Sequence, residues 1–230
     1  RALLAQGNRE GAAALVRHAW RDDDCSAEVE RRVLDMFGSM ITPADNKARM
    51  ERRLYADDTD AGMRAAERLG GSELAIARAR VAVIKHSQNA KALLDAVPTS
   101  ARNEPGYIFA RAQWLRRDNK PEEAGRVLLT APRDGNELVD TNQWWVERRI
   151  VIRKLLDDHD AQTAYRIARD AAAHAANVSL GSVTDNPVYI APGMPGNDDA
   201  RFPNGRVLSN GGYQNGMATP ALDDLAAGWA

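Results

Sequence analysis

Several features that would narrow the function are scarce in this chain of 230 residues. Cys25 is the only cysteine, which excludes an intrachain disulfide and suits the cytosol or a periplasmic protein without disulfides. The 31 basic and 32 acidic residues leave a net charge of −1, whereas nucleic-acid binding needs a basic excess. No apolar run approaches the roughly 18 residues of a membrane-spanning helix. We therefore expect neither a nucleic-acid partner nor a membrane span.

The chain does contain a long succession of helical patterns, from residue 2 to about residue 174. Apolar residues recur there at the spacing of amphipathic helix faces. The stretch "SAEVERRVLDMF", for example, aligns Val29, Val33 and Phe37, as in a helix that packs on a core. Capping residues mark where helices begin. The predicted N-caps are Ser26 and Thr42, with Pro43 at a first helical position.

These helices also form an irregular repeat. Five stretches share a polar turn followed by a helix that opens with small residues. The turns centre near Asn8, Asp58, Ser87, Asn119 and Asp158. Their spacing varies between roughly 29 and 50 residues, around the roughly 34 to 47 of helix-hairpin arrays. Small residues would let each second helix pack closely, and stacked hairpins would bury a continuous core. The pattern predicts an all-α, TPR-like helix-hairpin solenoid.

A cluster of aromatic residues in the solenoid allows two interpretations. Trp144 and Trp145 lie beside Arg148 and Arg149 in "NQWWVERRIVIRKLL". They could fill the core between helices, as apolar rings at helical spacing usually do. Alternatively, they could form a concave surface that stacks on sugar rings or on a partner, because exposed aromatic faces suit such contacts. The periodicity does not separate these interpretations, and the second makes the four residues a candidate binding surface.

Longer stretches of this region resemble a known family. They are "LLDAVP", the hairpin "WLRRDNKPEEA", the helix start "WWVERR" and "AYRIARDAA". In this order they are similar to the helical superhelix of soluble lytic transglycosylases of the proteobacterial periplasm, over most of residues 1–175. The resemblance implies a non-catalytic scaffold that curves into a ring or horseshoe. In that family a separate lysozyme-like domain cleaves peptidoglycan with a Glu in a Glu-Ser motif, and this sequence contains no Glu-Ser pair.

The other acidic and histidine residues offer no catalytic or metal site. Glycoside cleavage needs two carboxyl groups across a cleft, one with a raised pKa. The acidic groups here lie in polar turns, where such residues usually cap helices. The four histidines are not spaced as metal ligands. We therefore assign no catalytic residue, no metal and no cofactor to this chain.

The sequence changes character after about residue 176. Glycine, proline and asparagine form turn signals such as "DNP", "PG" and "NGG". The piece "RVLS" reads as a short extended segment. The final stretch predicts a C-terminal helix with Thr219 as its N-cap and Pro220 at its first position. We predict two parts, a superhelical scaffold over residues 1–175 and an irregular Gly/Pro-rich segment over residues 176–230.

This second part resembles a different family. The pairing of "TDNP" with "LSNGGY" is similar to the histidine and phenylalanine ammonia-lyases. The resemblance implies that Asn186 contacts substrate and that Tyr213 lines the substrate pocket. An amide and an aromatic wall suit an amino acid with a ring. The Ala-Ser-Gly triad that forms the lyase prosthetic group is missing from this sequence. Such active sites also need several subunits, so we expect no ammonia-lyase activity.

Together these patterns predict an apparent chimera joined near residue 176. The function we expect is a scaffold that binds peptidoglycan or a cell-wall protein in the periplasm. The alternatives are a fragment of an ammonia-lyase acting on histidine, phenylalanine or tyrosine, which would be cytoplasmic, and a generic helical-repeat module that binds proteins. The chain opens without Met and ends within a helical pattern, so we also expect a longer parent sequence.

Overall fold

The structure, a computed structural model, describes residues 2–134, 137–181, 188–190 and 206–208. The fold of these residues is all-α and solenoid-like, as predicted. The α-helices are α1 (Ala2–Ala5), α2 (Arg9–Asp22), α3 (Ala27–Phe37), α4 (Pro43–Tyr55), α5 (Thr59–Leu69), α6 (Gly71–Ile84), α7 (Ala90–Ala96), α8 (Pro105–Arg117), α9 (Pro121–Leu128), α10 (Thr141–Asp157) and α11 (Ala161–Gly181). Short 3₁₀ helices span Gly38–Met40 and Thr99–Ala101. Strands β1 (Val188–Ile190) and β2 (Arg206–Leu208) form one antiparallel pair.

The helices pair into successive hairpins. The pairs are α1 with α2, α4 with α5, α6 with α7, α8 with α9, and α10 with α11. Each later hairpin packs on the one before it, since α6 contacts both α4 and α5, and α10 contacts both α8 and α9. Helix α3 is not part of a hairpin. Because it lies between the first and second hairpins, it accounts for the longest gap between predicted turns, from Asn8 to Asp58. The hairpins thus stack in chain order and share a continuous core, as in helical-repeat proteins.

One turn geometry closes all five of these hairpins. In each turn a residue adopts the left-handed conformation, and the next N–H donates to the carbonyl oxygen five positions earlier, at 2.8–2.9 Å. This is the hydrogen bond of the Schellman motif, which satisfies carbonyls at a helix end. The left-handed residues are Gly7, Asp57, His86, Asn119 and His159, with φ between 53° and 78°. Each lies within one residue of a predicted turn centre, which confirms those five predictions.

The predicted helix starts are also confirmed. The Ser26 hydroxyl accepts a hydrogen bond from the Val29 N–H at 3.3 Å. Thr42 and Asp45 form a reciprocal capping box, with Pro43 at the first helical position of α4. Small residues in the second helices do permit close approach, because a Cβ at Gly62 of α5 would lie 2.6 Å from the Leu54 side chain of α4. Local sequence signals therefore determine where these helices begin and how tightly they pair.

The predicted packing face of α3 is correct only in part, since Val33 and Phe37 are half-buried but Val29 is not. Val29 is 45% exposed, whereas Glu30, the next residue, is 1% exposed and is the buried residue of this helix. The Glu30 carboxylate accepts hydrogen bonds from Arg49 at 2.8 Å and from Arg64 at 2.7 Å, and it also pairs with Arg68. Burying a charge is tolerated when it is paired and hydrogen-bonded. Ion pairing of Glu30 therefore acts together with the half-buried apolar residues in determining which side of α3 faces inward.

Helix α11 passes the predicted boundary between the two parts without a break. It continues to Gly181, whereas the sequence pattern placed the change near residue 176. The predicted extended piece "RVLS" is confirmed as β2, in which Val207 pairs with Tyr189 of β1. The predicted helix that begins after Thr219 lies outside the described residues. The division into residues 1–175 and 176–230 stays a prediction.

Candidate functional site

The first helices of four successive hairpins, α4, α6, α8 and α10, together line one cavity. We call their shared surface the first-helix face and this space the first-helix cavity; its volume is about 260 Å³. Its apolar walls include Leu54, Ile84 and Phe109. Its polar lining includes Asp57, Arg80, His86, Gln113, Arg117 and Gln143. Because four hairpins contribute, the cavity depends on the stacking of the solenoid and not on any single helix pair.

The repeated turn geometry positions two of the polar residues. Asp57 and His86 are the left-handed residues that end α4 and α6, and both are exposed at the same edge of the solenoid. Non-glycine residues in this conformation are uncommon and are strained by about 1–2 kcal/mol. The hairpin turns therefore bring an acidic and an imidazole side chain to the rim of the first-helix cavity.

Arg117, the last residue of α8, lies between the first-helix cavity and a neighbouring one. The second cavity has a volume of about 190 Å³ and shares Arg117 and His86 with the first. Arg117 Nη1 donates to the Val83 carbonyl oxygen at 2.6 Å, which ties the end of α8 to α6. Arg117 is exposed at the rim, but partial burial of its guanidinium lowers its pKa, and Arg116 lowers it further, while Glu147 and Asp57 act against this shift. An arginine still keeps its charge in such surroundings.

A buried ion pair forms the back of the first-helix cavity. Arg80 of α6 donates to Glu51 of α4, and both residues are buried. The guanidinium of Arg80 also lies over the ring of Tyr55, 4.5 Å from its centroid. Gly106 leaves room for this pair, since a Cβ there would lie 2.6 Å from Arg80 Nη1 and 2.8 Å from Glu51 Oε1. The pair thus links α4 to α6, and α8 packs closely against it at Gly106.

Aromatic rings join more distant hairpins below the cavity. Tyr55 of α4 packs against Phe109 of α8, and Phe109 packs against Trp144 of α10, each with ring centroids 5.1 Å apart. The Trp144 Nε1–H donates to the Tyr55 hydroxyl oxygen at 2.9 Å. Burial raises the pKa of the Tyr55 phenol, which therefore remains protonated at neutral pH. Helices from the second, fourth and fifth hairpins thus meet on the first-helix face, so this face is the inner side of the solenoid.

The structure corrects the candidate stacking surface of Trp144, Trp145, Arg148 and Arg149. Trp144 is fully buried and Trp145 is 9% exposed, so neither ring offers a face to a sugar or a partner. Arg148 is also buried, over the Trp144 ring at 5.3 Å, and Arg149 is half-buried. Burial lowers the pKa of Arg148, while Asp170 acts against this shift. Both rings therefore belong to the core. For Trp144 this burial is tolerated because the Tyr55 hydroxyl accepts a hydrogen bond from its indole N–H.

The substrate-contacting pair expected from the lyase resemblance, Asn186 and Tyr213, lies outside the described residues. Their expected roles stay predictions.

A larger cavity, of about 480 Å³, lies between α2, α4 and the segment Leu138–Val139. Its ionic side chains already have partners, within the lining or on Asp45. Asp22 pairs with His18 and with Arg52, and Arg21 pairs with Asp45 at 3.0 Å. Paired groups have less to gain from a ligand than unpaired ones. The smaller first-helix cavity is therefore the stronger candidate site.

Sequence reasoning missed the residues of the first-helix cavity. The sequence analysis considered His86 only as a possible metal ligand. It assigned no role to Arg80, Gln113 or Arg117. One signal was available: His86 sits in the repeated turn, and Arg117 ends the helix before the next such turn. In stacked hairpins, residues at equivalent turn positions lie at one edge of the solenoid. Aligning the repeats would have placed these side chains together.

Among the residues that the structure describes, no group of three or more His, Cys, Asp or Glu side chains could hold a metal ion. No helix in the described ranges is both long enough and apolar enough to cross a membrane. Comparison with known proteins finds no matching family model, curated protein or solved structure.

Proposed function

We propose that residues 1–175 are a non-catalytic scaffold, like the superhelix of soluble lytic transglycosylases, and that the first-helix face binds peptidoglycan or a cell-wall protein in the periplasm. The observation that carries this proposal is the stack of hairpins closed by one turn geometry, with a polar cavity on its inner side. A stacked array of this kind offers an extended surface that suits recognition.

The chemistry of the cavity also supports recognition over cleavage. Its lining contains one carboxylate, Asp57, whereas glycoside hydrolysis uses two. The carboxylate of Glu51, which contacts Arg80 of the lining, is committed to that ion pair. The scaffold would therefore hold or orient the wall polymer, and cleavage would require residues that these helices do not supply.

Co-sedimentation with purified peptidoglycan sacculi tests the proposal on the complete chain. We expect the protein to pellet with sacculi at physiological salt and to release no anhydro-sugar products from them. A useful comparison is the Arg80→Met variant, which disrupts the back of the first-helix cavity, beside Arg126→Gln, which alters an exposed arginine on α9. A chain that stays in the supernatant would contradict binding to peptidoglycan.

The same preparation also tests the lyase alternative. We expect neither cinnamate nor urocanate to form from phenylalanine or histidine, because the Ala-Ser-Gly triad is missing from the sequence. Formation of either product would overturn the scaffold proposal in favour of an enzyme. Retention of a soluble cell-wall protein, without binding to sacculi, would instead restrict the scaffold proposal to a protein partner.

A further inference from the structure

The guanidinium of Arg117 has an unused hydrogen-bonding edge. Its Nη1 is held by the Val83 carbonyl, but no carboxylate pairs with this arginine among the described residues. Its Nε and Nη2 likewise make no hydrogen bond to that part of the chain. This edge is the one through which arginine binds a carboxylate with two parallel hydrogen bonds. By contrast, the neighbouring Arg116 uses its Nε and Nη2 on Glu147, at 2.6 and 2.9 Å.

Other donors line the same cavity. The side-chain amides of Gln113 and Gln143 make no hydrogen bond to any described residue, although both line the first-helix cavity. Arg80 adds a second positive charge, but Glu51 neutralises it. Among the described residues of its lining, the cavity therefore presents one arginine without a salt bridge, Arg117, with amide donors around it, which suits an anion.

The other residues that line the cavity indicate which class of anion would bind there. Leu54, Ile84 and Phe109 form apolar walls, so an apolar part of the ligand would be buried with its charge at Arg117. Asp57 also lines the cavity and would repel any anion, but a doubly charged phosphate about twice as strongly as a carboxylate at the same distance. A single carboxylate on a short apolar stem matches both conditions.

We propose that the first-helix cavity binds a ligand carboxylate on Arg117, with Gln113 and Gln143 as additional donors and the ligand's apolar part against Phe109. The C-terminal end of a peptide and a small free acid share this chemistry. The inference rests on the proposed function, since peptide ends of the wall polymer would be the ligand of a peptidoglycan scaffold.

Calorimetric titration of the complete chain tests the inference with defined probes. N-acetyl-Ala-Ala should bind with a Kd of about 1 mM or tighter, and its C-terminal amide should bind at least about tenfold more weakly, because the charge-assisted bonds are lost. Sodium propionate distinguishes the two sources. Binding as tight as that of the peptide would support a small-acid site, and weaker binding would support a peptide-end site. Inorganic phosphate that binds more tightly than either acid would overturn the carboxylate assignment.

Variants of Arg117 separate recognition from folding. Arg117→Gln should weaken binding of N-acetyl-Ala-Ala by about ten- to a hundredfold, and Arg117→Lys by an intermediate factor, since lysine keeps the charge but loses the planar fork. Arg126→Gln, outside the cavity, should bind as the parent does. Circular dichroism should show the same helical content for all three variants. Equal affinity for acid and amide, no binding of either acid, or an unaffected Arg117→Gln would each overturn the inference.

The two proposals fail in different ways. If sacculi bind the chain but Arg117→Gln changes nothing, the scaffold function stands and the carboxylate site is wrong. If N-acetyl-Ala-Ala binds through Arg117 while sacculi do not bind, the cavity assignment stands and the peptidoglycan function is wrong.

Discussion

The indole N–H of Trp144 donates to the hydroxyl oxygen of Tyr55 at 2.9 Å, although 89 residues separate them in the chain. The bond links α10 in the fifth hairpin to α4 in the second. Both residues are buried, so water does not compete for either group. It is therefore a long-range contact that a solenoid with strictly neighbour-to-neighbour stacking would lack.

Removal of the Tyr55 hydroxyl should destabilise the fold. In Tyr55→Phe the buried indole N–H loses its acceptor, which costs about 1–3 kcal/mol. Urea unfolding followed by tryptophan fluorescence measures the change in the free energy of unfolding. Tyr107→Phe is the matched control, since Tyr107 is also buried but its hydroxyl has no partner among the described residues. A loss no larger for Tyr55→Phe than for Tyr107→Phe would count against the role of this bond.

A methyl group at Gly106 should disturb the ion pair behind the first-helix cavity. The added Cβ would lie within 3 Å of both Arg80 and Glu51, so Gly106→Ala should destabilise by about 1–3 kcal/mol despite the better helix propensity of alanine. Gly38→Ala is the control, because a Cβ there meets nothing within 4 Å. Thermal unfolding of both variants makes the comparison. Equal melting temperatures would show that the pair moves aside without cost.

The sequence predicted turns and caps well because those signals are local. Each turn needs only its own left-handed residue and a nearby carbonyl, and each cap needs one side chain and a backbone N–H three residues on. The burial of Glu30 on α3 was not predictable in this way. Glu30 turns inward because Arg49, Arg64 and Arg68 arrive from two other helices, and apolar spacing carries no information about them.

The candidate site was harder to predict for the same reason. Helical periodicity places Trp144 on the apolar face of α10. Whether that face is buried depends on the packing of α4 against it, which the periodicity of α10 does not show. The first-helix cavity likewise joins residues from four hairpins. Their proximity depends on how tightly successive hairpins stack, which is set by long-range contacts such as the Glu51–Arg80 pair.

Acidic pH should destabilise the N-terminal half of the fold, because the buried carboxylate of Glu30 becomes protonated. Burial alone would raise the pKa of this carboxyl, but hydrogen bonds from Arg64 and Arg49 outweigh it and hold the pKa below the ordinary value of 4.5. A carboxyl with a lowered folded-state pKa stabilises the fold above its unfolded-state pKa. That contribution is lost as the pH falls through the folded-state value. We therefore expect the free energy of unfolding to fall as the pH drops below about 5.

The Glu30→Gln variant tests that assignment. At pH 7 it should lose about 3–5 kcal/mol, because Arg49 remains buried without its counter-charge, and its stability should vary less with pH below about 5. Glu28→Gln, on the exposed side of the same helix, should change stability by less than about 1 kcal/mol. Urea titrations between acidic and neutral pH give these values. An unchanged acid limb in Glu30→Gln would assign the pH dependence to other carboxyls.

Relief of backbone strain in a hairpin turn should stabilise the chain. His159 has a φ of 64° in the turn between α10 and α11, where a side chain costs about 1–2 kcal/mol. Glycine removes that strain but loses more entropy on folding, so His159→Gly should gain about 0.5–1 kcal/mol. Asp158→Gly, one residue earlier with a φ of −87°, should instead lose a similar amount. Thermal unfolding of the two variants should shift the melting temperature in opposite directions. Shifts of the same sign would mean that the left-handed turn is not strained at His159.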